Sequence, residues 1–340
     1  MTDLKSLTQE QLKKLCQELG WQDYRSKQIF SWLWQKNATD IQEMTNLSKE
    51  KRNLLASGYY IGQLKPERTA RDKDGTRKFT FRLKRDNIIE SVFIPGKDRK
   101  TVCISTQVGC KLGCKFCYTA KMGFKRNLEW HEIAGQVLAI RKLVNQRITN
   151  VVFMGMGEPF LNYDATIEAI KALNSDFGIN IGARRITVST SGIPEAIRRY
   201  SRFPLQSKLA ISLNASDNET RSMLMPVNRK YPLEKLIPAV REFTQIKNKR
   251  VTFEYVLIDG INNRKKDIRQ LANLLKAIPC KINLIPFNPF PGTEFCAPPF
   301  RSVEDFAEAL YPLLPAVTIR KSRGSSILAA CGQLAGTTTR

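Results

Sequence analysis

The sequence holds a single histidine, His131, in the helix-like run LEWHEIAGQVLAIRKLV, with no second histidine one turn further on. That scarcity excludes most histidine-ligated zinc designs and any Ser-His-Asp triad, and leaves His131 as an ordinary helix residue. No apolar run reaches the length that spans a bilayer, and MTDLKSLTQEQLKKL at the N-terminus is polar and helical in pattern, without a signal peptide's apolar region. A cytoplasmic protein with no membrane partner is the expectation. Acidic residues are also scarce: 31 Asp plus Glu stand against 55 Lys plus Arg, a net charge of +24. Such an excess points to a polyanionic partner, with nucleic acid foremost, against the plainer reading of a solvated basic surface. Clustering favours the former, as in KPERTARDKDGTRK (65–78), KMGFKR (121–126), RRYSR (198–202) and RKSR (320–323).

Along the 340 residues, apolar positions recur at helical spacing up to about residue 62, which predicts a small helical accessory domain over 1–62. RKFTFRLKR and NIIESVFIP read as two strands joined by a turn at Asp86-Asn87, a β-hairpin linker region within 63–98. From residue 99 onward strand and helix patterns alternate, with strands predicted at 101–107, 150–156, 184–190, 208–214, 250–258, 281–288 and 317–322. Repeated strand-helix units imply an α/β fold with a parallel sheet, either open or closed into a full or partial (β/α) barrel. Chemistry then belongs at the carboxyl ends of the strands.

The unusual residues fall there. Eight cysteines are present, and Cys110, Cys114 and Cys117 lie together in VGCKLGCKFCYTAKMGF, just after the first strand of the repeat. GMGEP (155–159), STSG (189–192), SLN (212–214) and PFNPFPG (286–292) end later strands. Zinc would need a second close pair of ligands, and Cys280 and Cys296 are too far apart in sequence to supply one. Three thiols in a Lys- and Gly-rich loop rarely all serve packing. Soft thiolates on a tight loop suit a [4Fe-4S] cluster, in which three protein ligands leave one iron open for a small molecule. GMGEP lacks the third glycine of a dinucleotide fingerprint, so that reading is discarded.

Cys-x3-Cys-x2-Cys with Phe116 before the last cysteine resembles the signature of radical S-adenosylmethionine (SAM) enzymes, in which SAM chelates the open iron. Taken with GMGEP, RRITVSTSGIP, LAISLN, NLIPFNPFPG and AACGQLAG, in order and from about residue 77 onward, it is similar to the RlmN/Cfr group of radical SAM methyltransferases. The resemblance implies a partial barrel of the radical SAM type and methylation of an adenine in RNA. It implies that Cys110, Cys114 and Cys117 ligate the cluster, and that Gly157, Glu158, Ser189, Ser212, Leu213, Asn214 and Asn288 bind SAM. The group commonly has histidine where this chain has Asn214, which can still donate a hydrogen bond but carries no charge.

Adenine carbons 2 and 8 are too weakly nucleophilic for polar attack on a SAM methyl group, so a radical route is required. By resemblance, one SAM methylates Cys331 and a second supplies the radical that activates the new methyl group, two per turnover. Cys103 then resolves the RNA adduct through a transient disulfide, and Glu90 takes the proton from the base. GMGEP rather than GMGEA favours carbon 2, in the peptidyl-transferase region of 23S rRNA and beside the tRNA anticodon. The alternatives are carbon 8 methylation, or an iron–sulfur RNA-binding protein without turnover. A monomer served by an electron donor such as flavodoxin is expected. Cys16, Cys280 and Cys296 are assigned to packing.

Overall fold

The computed structural model describes residues 1–335. Its strands are β1 (Thr2–Asp3), β2 (Tyr59–Tyr60), β3 (Pro66–Arg71), β4 (Arg77–Arg82), β5 (Ile88–Pro95), β6 (Lys100–Cys103), β7 (Gln107–Gly109), β8 (Phe124–Asn127), β9 (Asn150–Phe153), β10 (Ile186–Thr190), β11 (Lys208–Ser212), β12 (Val251–Leu257), β13 (Cys280–Pro286) and β14 (Val317–Ile319). The helices are α1 (Gln9–Glu18), α2 (Tyr24–Trp34), α3 (Lys49–Gly58), α4 (Tyr118–Lys121), α5 (Trp130–Val144), α6 (Tyr163–Asn174), α7 (Pro194–Ser201), α8 (Asn218–Leu224), α9 (Leu233–Lys247), α10 (Lys265–Leu275) and α11 (Phe300–Leu310).

One sheet organises the chain, in the order β14-β13-β12-β11-β10-β9-β6-β5-β4-β3. From β6 to β14 every pairing is parallel, and helices connect the strands, as the alternating pattern predicts. Central strands such as β12, VTFEYVL, are buried on both faces and read as apolar runs. The sheet is open, with β14 and β3 as its two edges.

The hairpin region does not stand apart from this sheet. β5 pairs antiparallel with β6 in the register Val92–Cys103, and β4 and β3 continue the same sheet outward. β3 was hidden in the basic stretch 65–78, where charge masks the alternation of an edge strand. Arg85 and Asp86 turn the β4–β5 connection with φ of 57° and 53°.

The first strand of the repeat is shorter than predicted. After Cys103 the backbone of Ser105 is met by the buried Gln136 carboxamide, which accepts from Ser105 N at 2.8 Å and donates to Ser105 O at 2.9 Å. The chain leaves the sheet there, and Gln107–Gly109 instead forms a separate hairpin with β8. Gly109 has φ of 74°, and any side chain on it would strike the Gly123 carbonyl. The cysteine loop therefore begins at a backbone crossing that only glycine permits.

The N-terminal helices dock on α5. Thr8 and Gln11 form a capping box at the start of α1. Trp34 is fully buried with its ring 5.1 Å from that of Trp130, whose indole N–H donates to Ser6 O at 2.9 Å. Among the described residues no helix is long and apolar enough to cross a membrane.

Candidate active site

Parallel strands put their carboxyl ends on one side of the sheet, and a cavity opens there. Cys110, Cys114 and Cys117 line it from the β7–β8 connection, Gly157 and Glu158 from beyond β9, Ser189 from β10, Ser212 and Asn214 from β11, and Phe287 from beyond β13. Cys331, from the C-terminal tail, completes the wall. A second cavity adjoins it, lined by Val92, Cys103, Asn288, Lys321, Arg323 and Leu334. Cys331, Gly332 and Arg320 line both cavities.

Burial pushes the Cys110 thiol up to about 12 and raises Cys114 and Cys117 as well, each further discouraged by its neighbouring thiols. Bound iron reverses this, because a coordinating thiol is held deprotonated. Among the described residues no three His, Cys, Asp or Glu side chains converge closely enough to grip one metal ion. Three soft thiols on one loop, all lining one cavity, fit a [4Fe-4S] cluster, which Cys110, Cys114 and Cys117 would hold. Cys331 stands across the cavity wall without being part of the loop, and no fourth ligand comes from the loop itself.

The other sequence-predicted residues separate by what their side chains already hold. The hydroxyls of Ser189 and Ser212 have no hydrogen-bond partner among the described residues and line the cavity. Glu158 is fully committed: its carboxylate accepts from Phe160 N at 3.0 Å and from Ser191 N and Ser191 Oγ, both at 2.8 Å. It ties the end of β9 to the end of β10, and burial raises its pKa. Gly157, at φ of 94°, brings its backbone against Gln107, where a Cβ would lie 2.5 Å from Gln107 Cβ. Asn214 is left-handed at φ of 59°, a conformation asparagine tolerates. Its carboxamide oxygen accepts from Val256 N at 2.9 Å, which leaves the amide NH2 facing Met225 Sδ at 3.3 Å.

Leu213 is buried in the core and lines neither cavity; only its neighbours on either side do. Asn288 lines the second cavity rather than the first, donating to Cys331 O at 3.2 Å and accepting from Ser322 Oγ at 2.5 Å, so it grips the tail. Glu90 is buried and lines neither cavity. Its Oε1 lies 3.1 Å from Lys78 Nζ and its Oε2 accepts from Ala335 N at 2.9 Å.

All eight cysteines are free thiols. Cys103 is buried beside Cys331 and pushed up to about 12, by burial first and by Cys331 second. Cys16 and Cys280 pack in the core as assigned, but Cys296 does not: it lies exposed in the proline-rich loop between β13 and α11.

Two groups, Glu254 and Arg221, went unnoticed in the sequence, and Arg320 was noted only as the start of the basic cluster RKSR (320–323). Glu254, in the middle of β12, lines the first cavity, and its Oε2 is buried without a hydrogen-bond partner among the described residues. One charge inside VTFEYVL was the available signal. Arg320, beyond β14, feels Cys331 first, then Glu254 and Cys103, and its protonated form is stabilised by them. Arg221 sits fully buried in α8 beneath the strand ends. A larger cavity, about 580 Å³, lies between α1, α2 and α6 and contains no cysteine.

Known proteins share this arrangement. Residues 2–61 match the Ribosomal RNA large subunit methyltransferase N-terminal domain, and residues 104–275 match the Radical SAM superfamily. The chain is 45% identical to a dual-specificity RNA methyltransferase RlmN of Anaeromyxobacter dehalogenans, covering 98% of this chain and 91% of that protein. It is likewise 45% identical to the RlmN of Syntrophus aciditrophicus, over 98% and 96% of the two chains. A crystal structure of a radical SAM methyltransferase from Sphaerobacter thermophilus superposes with a TM-score of 0.93 at 43% identity, over 99% of this chain and 100% of that one. With the accessory helices, the sheet and the cysteine loop all matched in one continuous alignment, the chain belongs to the RlmN family of radical SAM RNA methyltransferases.

Proposed function

We propose that this enzyme methylates carbon 2 of an adenine in 23S rRNA, in the peptidyl-transferase region, and the adenine beside the tRNA anticodon, with Cys331 as the methyl carrier. The observation that carries this reading is the position of Cys331 on the wall shared by two cavities, the first lined by all three loop cysteines and the second by Cys103 together with Cys117. The relatives' name, dual-specificity RNA methyltransferase, supports RNA as the substrate, and the match of residues 2–61 to a ribosomal RNA large subunit methyltransferase domain supports rRNA. When bound by Cys110, Cys114 and Cys117, a [4Fe-4S] cluster with two SAM molecules per turnover supplies the methyl group and the radical that activates it.

The chain's own residues do the rest. Ser189, Ser212 and the Asn214 amide present polar groups to SAM, while Glu158 acts by holding the Gly157 backbone in place. The second cavity takes the base. Lys321 and Arg323 at its lining suit the flanking phosphates, and an unstacked adenine fits a pocket walled by Val92, Ile94 and Leu334. Glu90 takes the proton from carbon 2 once the tail at Ala335 moves off its carboxylate. The adduct returns its odd electron to the redox centre that supplied the radical, leaving a closed-shell thioether. The Cys103 thiolate then attacks the Cys331 sulfur, and the carbon–sulfur bond breaks with its electron pair on the methylene carbon. That carbon takes a proton to become the methyl group, and the two cysteines are left as a disulfide. That disulfide is a turnover intermediate that a cytosolic reductant reopens. Pro159 in GMGEP favours carbon 2 over carbon 8. The enzyme acts as a monomer supplied with electrons by a flavodoxin-like donor.

Nucleoside mass spectrometry tests the proposal, on ribosome-free 23S rRNA and on tRNA incubated anaerobically with reconstituted enzyme, SAM and reductant. 2-Methyladenosine in both RNAs is the expected product. 8-Methyladenosine would keep the carrier mechanism and change the carbon; SAM cleavage without any methylated adenosine would overturn the substrate assignment.

A further inference from the structure

Arg221 is fully buried, yet among the described residues it has no carboxylate within ion-pairing reach. Its guanidinium donates only to neutral oxygens. Nε reaches Leu213 O at 3.0 Å, Nη1 reaches Asn228 Oδ1 at 2.7 Å, and Nη2 reaches Ser191 O at 2.5 Å and Ser212 O at 3.3 Å. Those carbonyls belong to the ends of β10 and β11, which carry Ser189 and Ser212 into the first cavity.

A buried cation is costly unless an anion compensates it. Carbonyl dipoles solvate the guanidinium, and burial lowers its pKa only to about 10, so it stays charged at neutral pH. Geometry brings α8 to the cysteine loop: Lys115 N donates to Leu224 O at 3.0 Å, one turn from Arg221, and Cys114 and Phe116 pack against the apolar cluster that holds Leu224 and Met225. Among charged or ionisable neighbours, Arg221 feels Cys114. A cluster held through three thiolates brings a lasting anion to that place.

We propose that Arg221 is the fixed counter-charge of the cluster held by Cys110, Cys114 and Cys117, a positioning residue that raises the cluster's reduction potential while clamping the ends of β10 and β11. The inference rests on the cluster assignment above. A nearby positive charge stabilises the extra electron, so reduction becomes easier with it than without it.

EPR-monitored potentiometric titration of the reconstituted full-length enzyme separates charge from clamp. Arg221→Met removes both; Arg221→Lys loses the fork of hydrogen bonds but retains the charge. Asn228→Asp keeps Arg221 and gives its guanidinium a carboxylate where Asn228 Oδ1 now accepts. The expected result is a tenfold or larger loss in the reduction equilibrium for Arg221→Met, a midpoint about 59 mV lower for a one-electron couple. Asn228→Asp should shift in the same direction, and Arg221→Lys should remain near the native value. If Arg221→Met fails to fold, Asn228→Asp decides alone. A native midpoint in Asn228→Asp together with any folded Arg221→Met overturns the counter-charge role. Failure of the native enzyme to take up iron would instead overturn the cluster assignment itself.

Discussion

Lys78 Nζ stands 3.1 Å from Glu90 Oε1, and the same ammonium donates to Leu328 O at 3.4 Å while the other Glu90 oxygen accepts from Ala335 N at 2.9 Å. One ion pair on adjacent strands thus holds the tail on both sides of Cys331. Asp72 and Asp74 extend the grip by accepting from Ser326 and Gly324.

Lys78→Met should leave Glu90 buried without its cation. Removing one partner of a buried pair costs roughly 3–5 kcal/mol, and Lys78, slightly exposed, belongs near the low end. Urea unfolding should show this loss, and limited proteolysis should cut faster near 324–335. An unchanged midpoint would mean that water already screens the pair.

Glu90→Gln should fold with reduced stability, because its one amide oxygen can accept from either Ala335 N or Lys78 Nζ but not from both as the carboxylate does. Its defect should lie in turnover: RNA covalently held on Cys331 should accumulate, on denaturing gels, well beyond the native level. Normal multiple turnover would remove Glu90 from proton transfer.

Cys103→Ala should trap RNA on Cys331 as a stoichiometric adduct, since no other cysteine lines the second cavity except Cys117 and Cys331 themselves. Recovery of only free protein after one turnover would count against the resolving role.

Glu254→Gln should raise thermal stability at neutral pH. Burial lifts the Glu254 carboxyl above its unfolded value, and Oε2 has no partner among the described residues. Its folded state therefore favours the protonated form: the benefit is full below the unfolded pKa of about 4.3 and is lost as pH rises through the folded value. An unsatisfied buried acceptor costs roughly 1–3 kcal/mol. The difference in Tm between variant and native should be small near pH 4 and grow to a few degrees at neutral pH. A pH-independent difference would show that Asn283 and Arg320 already compensate the charge.

Gly157→Ala should destabilise by roughly 1–2 kcal/mol from the left-handed backbone alone, and more from the 2.5 Å approach to Gln107 Cβ. Equilibrium dialysis should show weakened SAM binding, because the Gly157 backbone and the Glu158 clamp move together. Native affinity would place SAM elsewhere in the cavity.

The strand-helix repeat was legible because each parallel strand is a short apolar run followed by an amphipathic helix, so the strand ends and the loops on them could be located from pattern alone. β3 was not legible, since an exposed edge strand built from PERTAR has no apolar face to betray it. The break after Cys103 depends on Gln136, a side chain thirty-one positions from the Ser105 backbone it meets. Leu213 marks another limit: a motif places a stretch of chain, whereas the direction of each side chain in it follows from the pleat. Glu254 looked like a lone charge in a strand, Arg221 like an ordinary helix residue and Arg320 like one member of a basic cluster, and only the assembled strand ends show that they face one cavity or lie beneath it.

Beyond β14, Arg320, Cys331 and Gly332 form the part of the chain that lines both cavities. A small group on the Cys331 sulfur can change chambers by rotation about one side-chain bond, a motion of picoseconds to nanoseconds for an unhindered side chain, rather than by swinging the whole tail. Cys117 of the cysteine loop lines both chambers too, so a group carried on Cys331 would travel along one shared wall instead of crossing open solvent.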